Sequence, residues 1–141
     1  MQDLSGTGAF KYGGRWNSKG TYVVYTSMNS SLAFLENLVH FDEPNFPPNL
    51  FIAEIEIKKD ELIYELPDKK YPVGWQANDA VENKLMGDKW MADREFIAVK
   101  VRSAINHLEF NFLLNPLFPG YHDHIIVNHI EPIRVDARLI K

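Results

Sequence analysis

The sequence predicts a single α+β domain of several strands and a few helices. Three observations carry that prediction. Apolar runs that alternate at a period of two recur along the chain, as at residues 51–57 and 96–101, and such alternation marks half-buried strands. One segment, residues 32–40, repeats its apolar residues at helical spacing instead. The 141 residues, 45% apolar and 24% charged, suffice for one core, and no internal repeat or linker divides them.

Taken in order, GTGAFKYGGRWN (residues 6–17) and TYVVYTS (residues 21–27) flank the loop-forming cluster Asn17-Ser18-Lys19-Gly20, a layout that predicts a β-hairpin. Arg15 would close its first strand and Tyr25 would lie in its second. A helix follows over residues 32–40, capped by Ser30 or Ser31 after Asn29. Three prolines make residues 42–49 a loop. Residues 51–57 are a strand, with Phe51, Ala53, Ile55 and Ile57 on one face. Residues 58–93 are irregular, punctuated by Pro67, Pro72, Gly74 and Gly87, with a helix at 79–86 and two tryptophans, Trp75 and Trp90. That stretch reads either as a cover over a pocket or as a surface excursion pinned by core tryptophans. A strand at 96–101 delivers Ser103 just past its end. Extended segments at 109–114, 124–130 and 133–140 complete the chain.

Composition excludes several classes. Fifteen basic against nineteen acidic residues leave a net charge of −4, which argues against general affinity for nucleic acid or an anionic membrane. Without cysteine there is neither a disulfide framework nor a thiolate metal site. No signal-like N-terminus or long apolar run occurs, so a soluble cytoplasmic protein is the expectation. His122, His124 and His129 suggest a metal cluster only weakly, because no partner stands at recognisable spacing; no metal is expected. Gly6-Thr7-Gly8 lacks the further glycines or lysine of a nucleotide fingerprint.

Three residues, Arg15, Tyr25 and Glu36, stand close in sequence in contexts that a structural role alone does not fully explain, and read together as a working site. On the helix, Leu32, Leu35 and Val39 form a stripe, and Glu36 lies within it. A carboxylate on that face needs a cation or a proton, and Arg15 is the nearest candidate. The pair reads as a structural ion pair or as a working site. Gly13 and Gly14 beside Arg15 let a ligand approach the backbone, and a guanidinium suits a phosphate. Ser103 is either a site residue or a turn former. Asn111 or Asn115 would bring an amide toward the site, or else cap the backbone.

The opening GTGAFKYGGRWNSKGTYVVYTS, the helix SLAFLENLVH, then VRSA (residues 101–104), NFLLNP (residues 111–116) and DARL (residues 136–139) together resemble the RES domain family. The likeness spans nearly the whole chain, residues 1–141. The arginine, glutamate and serine that name the family map onto Arg15, Glu36 and Ser103. Family members carry a short strand with its own arginine ahead of the GTGA block, so the usual first strand is expected to be missing before Met1. Arg102 stands where the family commonly has proline, and either alters the site or points to solvent.

The resemblance implies an ADP-ribosyltransferase-like fold of mixed, strongly twisted β-sheets and the toxin half of a bacterial type II toxin-antitoxin pair, which cleaves NAD and arrests growth. NAD would be the substrate, with no cofactor tightly bound. Glu36 would stabilise the positive charge left on the ribose, Arg15 would hold the diphosphate and keep Glu36 ionised, Tyr25 would stack on the nicotinamide, and Ser103, with Asn115, would complete the binding site. The acceptor of ADP-ribose stays open between water, phosphate and a protein side chain; a non-catalytic binding domain of the same fold is the remaining alternative. The implied partner is a helix-turn-helix, Xre-like antitoxin that would carry any DNA binding, with a homodimer of this chain inside that complex left open.

Overall fold

The computed structural model of the chain describes residues 4–39 and 49–139. The elements are α1 (Thr7–Tyr12), β1 (Val24–Ser27), α2 (Ser30–Leu38), β2 (Leu50–Ile57), β3 (Ile63–Glu65), α3 (Val81–Asp93), β4 (Ala98–Arg102), β5 (Phe110–Leu114), α4 (Tyr121–His124) and β6 (Ile125–Ile133). They form one α+β domain. A four-stranded sheet runs in the order β1-β5-β4-β3, and β2 pairs with β6 in a separate ribbon. The larger sheet is mixed: β3 lies parallel to β4, while β5 is antiparallel to both β4 and β1.

Alternation along these strands builds two cores on opposite faces. Val99, Val101 and Leu113 point to one face, where Trp16, Val23, Leu66, Trp75 and Met91 join them. Ala98 and Leu114 point to the other, against Ile97, Tyr121 and Ile125, with Ile55 and Ile57 of the ribbon alongside. At roughly 1.5–3 kcal/mol for each large apolar side chain buried, these two layers are the main stabilising contribution. Among the described residues no helix is long and apolar enough to cross a membrane.

The opening differs from the predicted hairpin. Residues 7–12 are helical, and the turn cluster folds back to serve that helix instead of joining two strands. Gly6 enters it at φ 79° and Gly13 leaves it at φ 74°. The Asn17 amide donates to the Ala9 carbonyl at 2.9 Å and the Gly20 N–H to that of Phe10 at 2.9 Å, which satisfies carbonyls that a helix end leaves open. Phe10 stacks on Tyr22 with ring centroids 4.3 Å apart. Arg15 therefore sits on a turn closed by a single bridge between Gly14 and Asn17.

Other elements shift. The cap of α2 is Asn29, whose side chain accepts from the Leu32 N–H at 2.8 Å, so the helix begins with the serines predicted to cap it. The predicted loop at 42–49 lies almost wholly outside the described residues, as does His40. The helix expected at 79–86 continues to Asp93 through Gly87. A Cβ at Gly87 would stand 1.6 Å from the Trp16 carbonyl oxygen, so this glycine permits helix-to-turn contact and does not punctuate. Trp75 is buried in the first core and Trp90 packs beside it, 5.5 Å from Trp16, as the pinned-excursion reading has it. The two strands expected at 124–130 and 133–140 are one strand, β6, which ends at Ile133, and residues 137–139 form a 3-10 turn. Among the described residues β6 pairs on one side only, with β2, and such an edge position tolerates Pro132.

Candidate active site

Glu36 and Ser103 are brought together. The Ser103 hydroxyl donates to Glu36 Oε2 at 2.8 Å, and the Asn111 amide donates to the same oxygen at 2.5 Å. Three elements make this possible: α2 carries the carboxylate, the end of β4 delivers Ser103, and β5 supplies Asn111 from between β1 and β4. Ser103 is fully buried and also accepts the N–H groups of Ile105 and Asn106 at 3.1 and 3.0 Å. It is a turn former and a partner of Glu36 at once. The helical stripe is rotated from the predicted one: Leu32 is buried, but Leu35 and Val39 are 40% and 63% exposed, so the inward face is Leu32 with Glu36.

Tyr25 shares this face. On β1 it is two residues from Ser27, which pairs with Asn111 across the sheet, so Tyr25 lies on the same face of the sheet as the asparagine that holds Glu36. Its hydroxyl donates to Asn17 Oδ1 at 2.6 Å and accepts the Trp16 N–H at 3.1 Å. Burial of that end pushes the phenol well above its ordinary value, with the Trp16 N–H pulling the other way. The residue as a whole is 41% exposed, so the ring presents a surface while its hydroxyl is anchored. Gly14 has no side chain because a Cβ there would stand 2.7 Å from the Tyr25 hydroxyl.

Arg15 does not pair with Glu36, which corrects the expected ion pair. The tight turn directs its guanidinium to the loop at residues 75–78. Nη1 donates to the carbonyls of Trp75, Gln76 and Ala77 at 3.2, 2.7 and 2.9 Å, and Nη2 to Asn78 Oδ1 at 3.1 Å. Among the described residues no carboxylate pairs with it, so its charge is solvated by neutral oxygens and not cancelled. Asn83 holds the same Trp75 carbonyl from beneath at 2.7 Å.

Asn115 is fully buried, donating to the Met91 carbonyl and accepting the Leu117 N–H; the backbone-capping reading describes it, and the geometry lends no support to a ligand contact. Arg102 turns away from Ser103, as successive strand residues must. It pairs with Asp68 at 2.8 Å and lies over the Phe110 ring, holding the Asp68 carboxyl below the usual carboxylate range. His122 and His124 are on the short helix α4 and not on a strand, while His129 is on β6 beside Glu131. Sequence reasoning missed Asn17 and Ser27. Asn17 carried a signal only as a turn former, and Ser27 carried none until the strand register placed it opposite Asn111.

A small α+β domain whose mixed sheet presents, on one face, an anchored tyrosine and a carboxylate held by a serine and an asparagine is the class defined by this geometry. The chain belongs to the RES domain family: the family model matches residues 1–136. Relatives at similar identity cover most of it. It is 36% identical over 121 residues to a protein of Sphingobium sp. (strain YBL2) named Prs ADP-ribosylating toxin, covering 83% of this chain and 74% of that one. It is 33% identical over 138 residues to a protein of Photorhabdus laumondii subsp. laumondii named Toxin Res, covering 97% and 88%. A Toxin Res of Yersinia enterocolitica is 34% identical over 113 residues, covering 79% and 74%.

Proposed function

We propose that this chain is the toxin of a type II toxin-antitoxin pair and cleaves NAD at the nicotinamide-ribose bond. The observation that carries this reading is the Glu36 carboxylate, fixed through Oε2 by Ser103 and Asn111 while Oε1 has no partner among the described residues. Bond breaking sends the electron pair to the nicotinamide nitrogen and leaves an oxocarbenium-like ribose. A preorganised carboxylate beside that carbon stabilises the charge as it develops. The exposed Tyr25 ring, with its hydroxyl tied down, is a stacking platform for the nicotinamide.

Arg15 takes the diphosphate. Four of its contacts are to neutral oxygens, so its positive charge persists, and a guanidinium has five N–H donors, enough for the loop and an anion. Its link to Glu36 is then through the substrate and not through an ion pair. The acceptor of ADP-ribose is water or phosphate in this reading. Transfer to a protein side chain is the second reading, favoured by the name of the Sphingobium relative. An Xre-like antitoxin covering this face would restrain the activity.

The test is nicotinamide release by the purified chain free of any partner, with product masses read with and without phosphate. Glu36→Gln should melt like the wild type and lower the rate by about 100- to 1,000-fold. Full activity in that variant, or no nicotinamide from folded wild-type protein, would overturn the proposal. Appearance of ADP-ribose on protein in place of the free sugar would favour the second reading.

A further inference from the structure

The Glu36 carboxylate is held unevenly. Both donors, Ser103 Oγ and Asn111 Nδ2, converge on Oε2. Of the two, Ser103 also serves its own turn, whereas the Asn111 amide is committed to Glu36 on one side and to Ser27 on the other. Ser27 Oγ donates to Asn111 Oδ1 at 2.7 Å. Turning the amide over would set Oδ1 against the Glu36 oxygen, acceptor against acceptor, so the network admits one orientation.

The supports differ in rigidity. Asn111 lies on β5, hydrogen-bonded along both edges to β1 and β4. Glu36 lies on a nine-residue helix in which the neighbouring Leu35 is exposed, as is the C-cap residue Val39. The sheet therefore positions the carboxylate that the helix carries, and groups held by a second layer of hydrogen bonds keep the narrow geometry that catalysis needs. We infer that Asn111, oriented by Ser27, is a positioning residue that fixes Glu36 with Oε1 presented to the ribose of a bound dinucleotide. The inference rests on the NAD-cleaving reading for its consequence, but its geometric part stands apart from turnover.

Asn111→Asp keeps shape and replaces the donor with an acceptor. It should lower kcat for nicotinamide release by about 100-fold with KM changed by less than about threefold, the pattern of a contact needed only in the transition state. Ser27→Ala should lower kcat about fivefold, the equivalent of one ordinary hydrogen bond, and Ser27→Thr, which restores the hydroxyl, should recover most of that loss. Because Asn111→Asp alters charge, the Ser27 variants keep the inference open to refutation if that variant does not fold.

The same samples are read by NMR through the Asn111 side-chain amide signals, which should move in Glu36→Gln and in Ser27→Ala. Unchanged kcat in folded Asn111→Asp, while Glu36→Gln is inactive, would overturn the positioning role. A rise in KM alone would do the same. If the wild type releases no nicotinamide, the NAD reading fails by itself, and the amide signals decide the geometry: no response to Glu36→Gln sinks it.

Discussion

The two ends of the site are built on different principles. At the Glu36 end, side chains from three elements meet: a helix carboxylate, a strand-end serine and an asparagine from an interior strand. At the Arg15 end, one side chain gathers backbone carbonyls from a loop about sixty residues away in sequence. The first end derives its order from the sheet. The second is held by Arg15 together with Asn83 and the loop's own turns, since residues 76–78 are exposed and lie outside the named strands. Under the proposed NAD-cleaving reading, one rigid and one adaptable end would place the reacting atom closely while the diphosphate is only held.

Gly87→Ala should break the Arg15 end hardest. The added methyl meets the Trp16 backbone at a distance that real Cβ atoms do not show, and overpacking of this kind costs about 3 kcal/mol. An ordinary helical glycine would instead gain about 1 kcal/mol on becoming alanine, so urea denaturation gives opposite signs for the two possibilities. The Asn111 amide signal, by contrast, should stay near its wild-type position.

Arg15→Lys comes next. A lysine keeps the charge but not the planar fork, and losing the shared contacts at a partly exposed site should cost about 1–2 kcal/mol. Hydrogen exchange should quicken for residues 76–78 while β5 is unaffected. Equal protection in both proteins would mean that the loop does not depend on Arg15.

Tyr25→Phe leaves Asn17 Oδ1 and the Trp16 N–H short of a partner, for about 1 kcal/mol. Because the ring remains, KM for NAD should change far less than in Tyr25→Ala; a comparable rise in both would argue against stacking. The smallest effect belongs to Asp68 and Arg102. Their hydrogen bond lowers the Asp68 carboxyl below its unfolded value, so its contribution is present at neutral pH and is lost as pH falls through the folded value. Asp68→Asn should flatten that acid limb slightly and leave nicotinamide release unchanged. A large loss of activity would place Arg102 in the site after all.

Local signals in the chain were dependable where one pattern sufficed. The strands at β2 and β4 were legible from alternation, β5 was expected only as an extended segment, and Glu36 stood out because a carboxylate in a helical apolar stripe needs an explanation. Ser103 was legible only through the family blocks, since a serine past a strand end has an ordinary reading as well. The opening hairpin failed because glycines and small polar residues mark turns without saying what the turn returns to; here Asn17 and Gly20 cap α1. Gly87 failed for a similar reason, as a contact with Trp16 leaves no local trace.

The sequence by itself determined the α+β class, most strand positions, the exclusion of cysteine chemistry, and a short set of candidate site residues. These follow from side-chain periodicity and residue chemistry, which act over a few positions. Only the tertiary structure decided which of those residues meet. Arg15 and Glu36 are twenty-one positions apart, yet one bonds the loop at 75–78 and the other bonds Ser103 and Asn111. Strand order and register set those partners, and register is a property of the packed sheet as a whole.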